Sequence, residues 1–234
     1  MLPSLKLVIT LSAGLEHVDL AACQAHGVCI VNSSLVFSAD VADMAVGLFL
    51  DVMRKISTVN RFVRDGYSVS RGDFTRKFQI GGKRVGIVGL GHIGLEVAKR
   101  LEAFDCITLY NSRKEKPSVS YPFYSDVCEL AANSDVLVVR CTLTAQTHHM
   151  INKKKEMVQC LVQGEIKGAG LDGLDVFENE SEVPKELFGL DNVVLSPHQA
   201  ATTEDYFKDL SNLAVANLEA FFSNKPLLSE VVND

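Results

Sequence analysis

The sequence lacks a basic surplus, a long apolar run and any C-x-x-C pair, and each absence excludes a class of protein. Its 234 residues carry 23 Lys and Arg against 29 Asp and Glu, a net charge of -6 that argues against nucleic acid as a partner. No apolar run reaches the roughly 18 residues that a membrane-spanning helix needs. The six cysteines are scattered, so we expect buried thiols in a reducing compartment and no metal site.

The start of the sequence also lacks a targeting pattern. The first residues lead directly into strand-like sequence, without a basic segment and apolar core or an Arg- and Ser-rich, acid-poor leader. We therefore expect a cytoplasmic protein. With 47% apolar and 22% charged residues, the chain has the composition of a globular protein with one large domain or two small ones.

A glycine-rich loop between an apolar strand and a helix organises the chain. Residues 84–98 read RVGIVGLGHIGLEVA, in which Gly89, Gly91 and Gly94 follow the spacing G-x-G-x-x-G. Gly89 permits a sharp turn, Gly91 lets a pyrophosphate approach the backbone, and Gly94 lets the helix pack closely on the strand. The positive end of the helix dipole then faces the phosphates. The pattern predicts a dinucleotide site; the alternative is a glycine-rich turn inside the core.

The end of the next strand, predicted over 106–110, favours a phosphorylated cofactor. An NAD site commonly places a carboxylate there, where it binds the ribose 2′-hydroxyl. This chain has no carboxylate at residues 111–114. The Ser112 hydroxyl and the cations Arg113 and Lys114 would instead bind a 2′-phosphate. We therefore predict NADP(H) in preference to NAD(H), with a solvated basic turn as the alternative.

One histidine and one glutamate are the candidates for acid–base chemistry. His198 follows a strand predicted over 192–195, which is an active-site location in this class of fold. Glu180 precedes it, and a carboxylate bonded to an imidazole orients the ring and favours its protonated form. A protonated imidazole aimed at a carbonyl oxygen assists hydride delivery to a ketone. The alternative is that His198 is a core histidine at a strand end.

Apolar patterning predicts an α/β chain. Short strands over 5–10 and 28–31 flank a helix over 18–25, which is too little to form a core alone. One long helix over 39–64 has an unusually wide apolar face, so it is either a core helix or one that also packs against a second subunit. The remaining predicted elements are a strand over 134–141, a helix over 157–163, strand-like sequence over 168–172 and 174–177, and a final helix over 204–222.

Together these motifs resemble those of the D-isomer-specific 2-hydroxyacid dehydrogenases, and within them the plant-type glyoxylate/hydroxypyruvate and hydroxyphenylpyruvate reductases. The resemblance covers nearly the whole chain. Besides the glycine loop, it rests on residues 12–15, 40–43, 111–113, 171–180, 197–198 and 224–228. It implies a doubly wound parallel Rossmann-type sheet over 39–203, and a partial α/β substrate domain formed by 1–38 plus 204–234.

The resemblance also implies which residues bind the cofactor. The pyrophosphate is held by the loop residues Gly91, His92, Ile93 and Gly94. The adenine side is lined by Cys141 and Thr142, and Asp175 meets the nicotinamide amide. These assignments follow from the family pattern and not from spacing alone.

The activity that the resemblance implies is the NADPH-dependent reduction of small 2-oxo acids, such as glyoxylate and hydroxypyruvate, to 2-hydroxy acids. The backbone amides of Ala13 and Gly14 hold the substrate carboxylate in this interpretation, and Glu180 with His198 forms the acid pair. We also expect a homodimer that forms through the helix region 39–64.

Two departures from the family pattern concern whole segments. The family's substrate domain has several strands before the point where this chain starts. A helix, a strand and an arginine-bearing turn are missing between Asn152 and Glu156, so the sheet either keeps a gap or moves the strand over 168–172 inward. The missing arginine normally grips the substrate, and Arg140 is one candidate substitute.

Smaller departures lie next to the predicted acid pair. Gly173 and Leu174 look like an insertion beside a duplicated Leu-Asp, and Ser181 stands where the family has a proline. There are two alternatives to an active enzyme, the first of them motivated by the missing arginine and the missing first strands. One is a catalytically silent or truncated form that binds nucleotide or a full-length subunit only, and the other is a co-regulator of the same fold that senses nucleotide.

Overall fold

The computed structural model describes residues 4–12, 14–15, 17–33, 36–66, 78–140, 154–172 and 184–231, with the backbone alone for 154–156. In chain order the elements are β1 (Leu7–Ile9), α1 (Leu20–Ala25), β2 (Cys29–Val31), α2 (Ser38–Arg54), α3 (Ile56–Arg64), β3 (Arg84–Val88), α4 (His92–Glu102), β4 (Ile107–Asn111), α5 (Val127–Ala132), β5 (Val136–Val139), α6 (Lys154–Gln163), β6 (Ala169–Asp172), α7 (Lys185–Phe188), β7 (Val193–Ser196) and α8 (Tyr206–Phe222). None of these helices is both long and apolar enough to cross a membrane.

The chain folds as two units. The first consists of Met1–Asp40 together with Ala201–Asp234, and the second of Val41–Ala200. The sequence-based division placed the boundaries at 38/39 and 203/204. Every strand ladder in both units is parallel, which confirms the predicted α/β class.

The first unit is a parallel strand pair completed by the C-terminal segment. β1 and β2 pair over three residues each, and Val31 at the end of β2 forms an antiparallel bridge with Glu230. Asn217 of α8 is fully buried, and its side-chain oxygen accepts a hydrogen bond from the Leu228 backbone N–H at 3.0 Å. The segment after α8 is therefore tied both to the helix and to β2.

The second unit contains a three-stranded parallel sheet in the order β4-β3-β5. β3 is central because its register places Val85 opposite Thr108 on one side and Val136 on the other. A strand with neighbours on both sides and helices on its faces is expected to be apolar throughout. Val85 and Ile87 are completely buried, as the near-continuous apolar run before the glycine loop predicts.

β6 and β7 form a separate two-stranded parallel sheet in the same unit, and within the described residues no ladder joins β5 to β6. α2 covers β6 so closely that a Cβ at Gly170 would lie 2.9 Å from the Cβ of Leu48. Among the described residues β6 shares no ladder with β5, which agrees with the gap that was one of the two outcomes expected for the missing segment.

The prediction of one long helix over 39–64 is wrong. The helix is interrupted at Lys55, whose φ of 54° and ψ of 44° are left-handed, and α3 begins at the next residue. Asp51 accepts a hydrogen bond from the Ser57 backbone N–H at 2.8 Å and a second one from the Ser57 hydroxyl. These bonds supply the start of α3 with acceptors that a continuous helix would not need.

Candidate active site

The glycine loop joins the end of β3 to the start of α4. Gly89 has a φ of 97°, a conformation that residues with a side chain rarely adopt. Its N–H donates to the carbonyl of Asn111, the last residue of β4, at 3.0 Å. The turn that the sequence predicts at Gly89 is therefore tied to the end of the neighbouring strand.

The other two glycines differ in what surrounds them. A Cβ at Gly94 would lie 2.4 Å from the carbonyl oxygen of Gly89, so the first turn of α4 packs too closely on the loop for a side chain. A Cβ at Gly91 would meet no atom within 4 Å. Gly91 is the N-cap of α4 and provides no side chain to bond the first helical N–H groups. The open space and these N–H donors fit a pyrophosphate, with the exposed His92 and the half-buried Ile93 next in the chain.

The turn after β4 presents two cations. Arg113 and Lys114 are exposed, and no carboxylate stands between the strand end and these two residues. The Ser112 hydroxyl donates to the backbone carbonyl of Lys114 at 2.5 Å, and the Tyr110 hydroxyl accepts from the Lys116 N–H at 2.8 Å. These two hydrogen bonds stabilise the turn, and both cationic side chains remain at the surface.

Asn111 is not available to a cofactor in the way a strand-end carboxylate would be. Its side chain is nearly buried, and its amide nitrogen donates to the carbonyls of Tyr124 at 2.8 Å and Ser125 at 3.2 Å. The polar groups presented at the carboxyl end of β4 therefore come from the residues after the strand.

An ion-pair network fastens α4 to α2. Arg100 contacts Asp43 of α2 through Nε at 2.5 Å and Glu96 of its own helix through Nη1 at 2.7 Å, and Lys99 also reaches Glu96 at 2.7 Å. Hydrogen bonds from Lys99 and Arg100 hold the pKa of the Glu96 carboxyl below its ordinary value. The network lies on the helix that carries the glycine loop and supports the orientation of that helix.

His198 lies two residues after β7, is exposed, and has a left-handed φ of 57°. One residue before it and one after it in the chain form hydrogen bonds with the same carboxylate oxygen, Oδ1 of Asp172. The Ser196 hydroxyl donates to this atom at 2.5 Å, and the Gln199 backbone N–H donates to it at 3.3 Å. Sequence reasoning gave Asp172 no role, although it ends the first copy of the duplicated Leu-Asp.

Five of the predicted site residues lie outside the described part of the chain. They are Ala13, Cys141, Thr142, Asp175 and Glu180. Gly14 belongs to the first unit, where its carbonyl accepts a hydrogen bond from the Ser12 hydroxyl at 2.8 Å. Arg140 follows β5, and its backbone N–H donates to the Val88 carbonyl at 2.9 Å.

The structure thus places the glycine loop, the basic turn and Arg140 directly after the ends of three adjacent strands. β3, β4 and β5 are parallel, so their carboxyl ends share one edge of the sheet. This edge is where ligands of doubly wound sheets bind. His198 occupies the equivalent position after β7, in the second sheet of the same unit.

Comparison with known proteins identifies the family. Residues 46–156 match the family model described as D-isomer specific 2-hydroxyacid dehydrogenase, NAD binding domain. The chain is 51% identical to glyoxylate/hydroxypyruvate reductase HPR3 of Arabidopsis thaliana, over 100% of this chain and 78% of that protein. The chain belongs to the D-isomer-specific 2-hydroxyacid dehydrogenases. It is also 47% identical to hydroxyphenylpyruvate reductase of Plectranthus scutellarioides, over 99% of this chain and 80% of that protein.

Solved structures confirm the Rossmann-type fold. The NADPH-dependent glyoxylate/hydroxypyruvate reductase of Sinorhizobium meliloti, solved with NADP and malonate, is 32% identical and superposes with a TM-score of 0.86. That match covers 98% of this chain and 78% of the other. This dehydrogenase family uses nicotinamide cofactors, as the glycine loop predicts, and the relatives named here are reductases of 2-oxo acids.

The alignment with the Arabidopsis relative also bears on the missing internal segment. It is 255 positions long and includes all 234 residues of this chain. The relative therefore has 21 residues within the aligned region that have no counterpart in this chain. A helix and a strand of ordinary length account for a difference of this size. The gap between β5 and β6 is consistent with it.

Proposed function

We propose that this chain reduces small 2-oxo acids, such as glyoxylate and hydroxypyruvate, to 2-hydroxy acids with NADPH. The observation that carries the proposal is the open space beside Gly91 at the start of α4, together with the basic turn at the end of the adjacent strand. A dinucleotide whose pyrophosphate lies at Gly91 fits both features. The names of the relatives, which are glyoxylate, hydroxypyruvate and hydroxyphenylpyruvate reductases, support the substrate class.

The bound cofactor would supply the hydride, and the chain's residues would supply binding and the proton. The first N–H groups of α4 bind the pyrophosphate, and Arg113 and Lys114 bind the 2′-phosphate. His198 donates a proton to the substrate carbonyl oxygen as that oxygen becomes a hydroxyl, and Glu180 orients the imidazole. The backbone amides of Ala13 and Gly14 bind the substrate carboxylate.

The preference for NADPH rests on charge. A guanidinium forms two parallel hydrogen bonds with a phosphate, and a nearby ammonium adds a second positive charge. Arg113 and Lys114 are both exposed at the turn, and Glu115 next to them is the nearest acidic residue along the chain. A cofactor without the 2′-phosphate would leave both cations with no specific contact.

Measurement of NADPH consumption by the purified chain tests the proposal. We expect consumption that depends on added glyoxylate or hydroxypyruvate, with aromatic 2-oxo acids as the comparison substrate. Formation of the matching 2-hydroxy acid in equal amount completes the test. A chain that consumes no NADPH with any of these acids contradicts the proposal.

One observation favours a second candidate, a form that binds nucleotide without turning over substrate. Within the described residues the sheet is interrupted between β5 and β6, where the family's missing strand belongs. The arginine that follows this strand in the family is missing with it. Loss of a bidentate carboxylate partner costs several kcal/mol of transition-state stabilisation, on the order of 10²- to 10³-fold in rate. NADPH binding without turnover would select this candidate.

We propose further that the chain forms a homodimer through the region 39–64. Ile56 and Val63 of α3 are 55% and 57% exposed, and they lie on the same side of that helix because they are seven residues apart. With Phe104 they line a groove of about 920 Å³. An exposed apolar face of this kind marks an interaction surface, and a second copy of the chain presents the same face in return.

A further inference from the structure

Asp172 and Ser196 stand opposite each other at the ends of two paired strands. Asp172 is the last residue of β6, Ser196 is the last residue of β7, and the parallel register makes them direct partners. His198 follows only two residues after Ser196. Asp172 therefore lies at the same edge of the sheet as the loop that carries His198, the candidate proton donor.

A single carboxylate oxygen closes this loop. Oδ1 of Asp172 accepts from the Ser196 hydroxyl at 2.5 Å and from the Gln199 backbone N–H at 3.3 Å. The two donors bracket His198 in the chain. The Ser196 bond is short and the Gln199 bond is long for its type of donor, so the first is the stronger of the two and the second completes the turn.

The backbone conformation of His198 has to be stabilised by its surroundings. Its φ of 57° lies in the left-handed region, which costs a residue with a Cβ about 1–2 kcal/mol relative to the right-handed one. A strained conformation persists when the surrounding structure imposes it, and such conformations cluster at functional sites. Pro197 restricts Ser196 before it to an extended backbone and has no N–H of its own to donate within the turn.

We propose that Asp172 is a positioning residue that holds the His198 turn and thereby fixes where the imidazole is presented. The inference rests on the proposed role of His198 as proton donor. It assigns different tasks to the two aspartates of the duplicated Leu-Asp, because Asp172 is bound to the turn after β7 whereas the resemblance gives Asp175 to the cofactor. The side chain of Asp172 acts on the reaction through His198 and not by contact with the substrate.

The test compares Asp172→Ala, which removes the acceptor, with Asp172→Asn, which keeps an oxygen at the same position. A displacement of about 1 Å at a catalytic group costs roughly 10²-fold in rate, so we expect Asp172→Ala to lower kcat by about that factor. We expect Asp172→Asn to retain kcat within about threefold, because a neutral acceptor still bonds both donors. The affinity for NADPH should stay unchanged in both variants.

Two further variants separate this role from a general loss of structure. Ser196→Ala removes one of the two bonds and should lower kcat by less than Asp172→Ala does. Asp191→Ala removes an exposed aspartate before the opposite end of β7, where it pairs with Arg61, and should leave kcat unchanged. A melting temperature for each variant identifies any that fails to fold, in which case Ser196→Ala carries the test.

Hydrogen exchange at the Gln199 amide gives a readout that does not need activity. Asp172→Ala should speed exchange of this amide by about tenfold, matching the loss of one bond of roughly 1.4 kcal/mol, and Asp172→Asn should not. The proposal is overturned if Asp172→Ala leaves both kcat and this exchange rate unchanged, or if it weakens NADPH binding with kcat intact. If His198→Ala retains full activity, the proposed function fails instead, whatever the exchange data show.

Discussion

The Gly89 amide donates to the carbonyl of Asn111 at 3.0 Å, and this bond joins the two halves of the candidate cofactor site. Gly89 begins the loop that leads to the open space at Gly91. Asn111 ends β4, and Arg113 and Lys114 follow it directly. The proposed positions of the pyrophosphate and the 2′-phosphate therefore lie at the ends of two hydrogen-bonded strands, so the sheet sets the spacing between them.

Replacing Arg113 with aspartate should reverse the cofactor preference. The carboxylate would repel the 2′-phosphate of NADPH and could accept a bond from the 2′-hydroxyl of NADH. We expect the ratio of kcat/KM for NADPH to that for NADH to fall by about 10²-fold or more. Steady-state kinetics with both cofactors measures it.

The control for that experiment is Lys185→Asp, which makes the same charge change at an exposed cation of α7. We expect the control to leave the ratio of the two kcat/KM values unchanged. An Arg113→Asp enzyme with the wild-type preference would show that the basic turn is only solvated.

Alanine at Gly91 and at Gly94 should have opposite effects. A Cβ at Gly91 meets only open space, so Gly91→Ala should cost less than about 1 kcal/mol of stability while it obstructs the pyrophosphate. A Cβ at Gly94 meets the Gly89 carbonyl, so Gly94→Ala should lower the free energy of unfolding by about 1–3 kcal/mol. Chemical denaturation and NADPH titration measure the two quantities.

Each glycine variant serves as the control for the other. If Gly91→Ala binds NADPH with wild-type affinity, the open space at the start of α4 is not the cofactor position. If Gly94→Ala is as stable as the wild type, the close approach of helix and loop is not what requires glycine there.

Glycine at Lys55 should stabilise the chain. Lys55 has a left-handed backbone that costs about 1–2 kcal/mol, which glycine avoids, and the flexibility of glycine in the unfolded chain offsets about 0.5–1 kcal/mol of that gain. We expect Lys55→Gly to raise the free energy of unfolding by up to about 1 kcal/mol. In a continuous helix the same change would lower the free energy of unfolding by about 1 kcal/mol. The sign of the change measured by denaturation therefore decides between an interrupted and a continuous helix.

Lysine at Ile56 and Val63 together should prevent the proposed dimer. Both side chains are more than half exposed on α3, and two charges would face two charges across a symmetric interface. We expect the double variant to run as a monomer in light-scattering chromatography at concentrations where the wild type is a dimer. Val215→Lys, at a valine of α8 that is 53% exposed, is the matched control and should stay dimeric.

The glycine loop and its flanking strands could be predicted from the sequence because their signal is local. An apolar run followed by Gly89, Gly91 and Gly94 is compatible with few structures other than a strand, a tight turn and a helix. The bounds of β3 and β4 fall within one or two residues of the expected ones. The interrupted sheet was one of two expected outcomes, because the missing segment is visible in the sequence only by comparison with a known family.

Other features depend on contacts that no local pattern records. The break at Lys55 relies on the bonds between Asp51 and Ser57 across it, and apolar spacing continues through that point as if the helix did. The role proposed for Asp172 depends on its register with Ser196, which lies 24 residues later in the chain. The duplicated Leu-Asp gives both aspartates the same local signal, so sequence reasoning chose Asp175 by resemblance.

The most direct test of the central claim is the rate of NADPH consumption by the purified chain with hydroxypyruvate, measured beside NADPH affinity for the wild type and His198→Ala. We predict a substrate-dependent rate in the wild type. His198→Ala should lower kcat by about 10²- to 10⁴-fold, the usual contribution of a positioned acid, with the affinity for NADPH unchanged. A wild-type chain that binds NADPH but does not consume it with hydroxypyruvate, or a His198→Ala variant as fast as the wild type, would contradict the account.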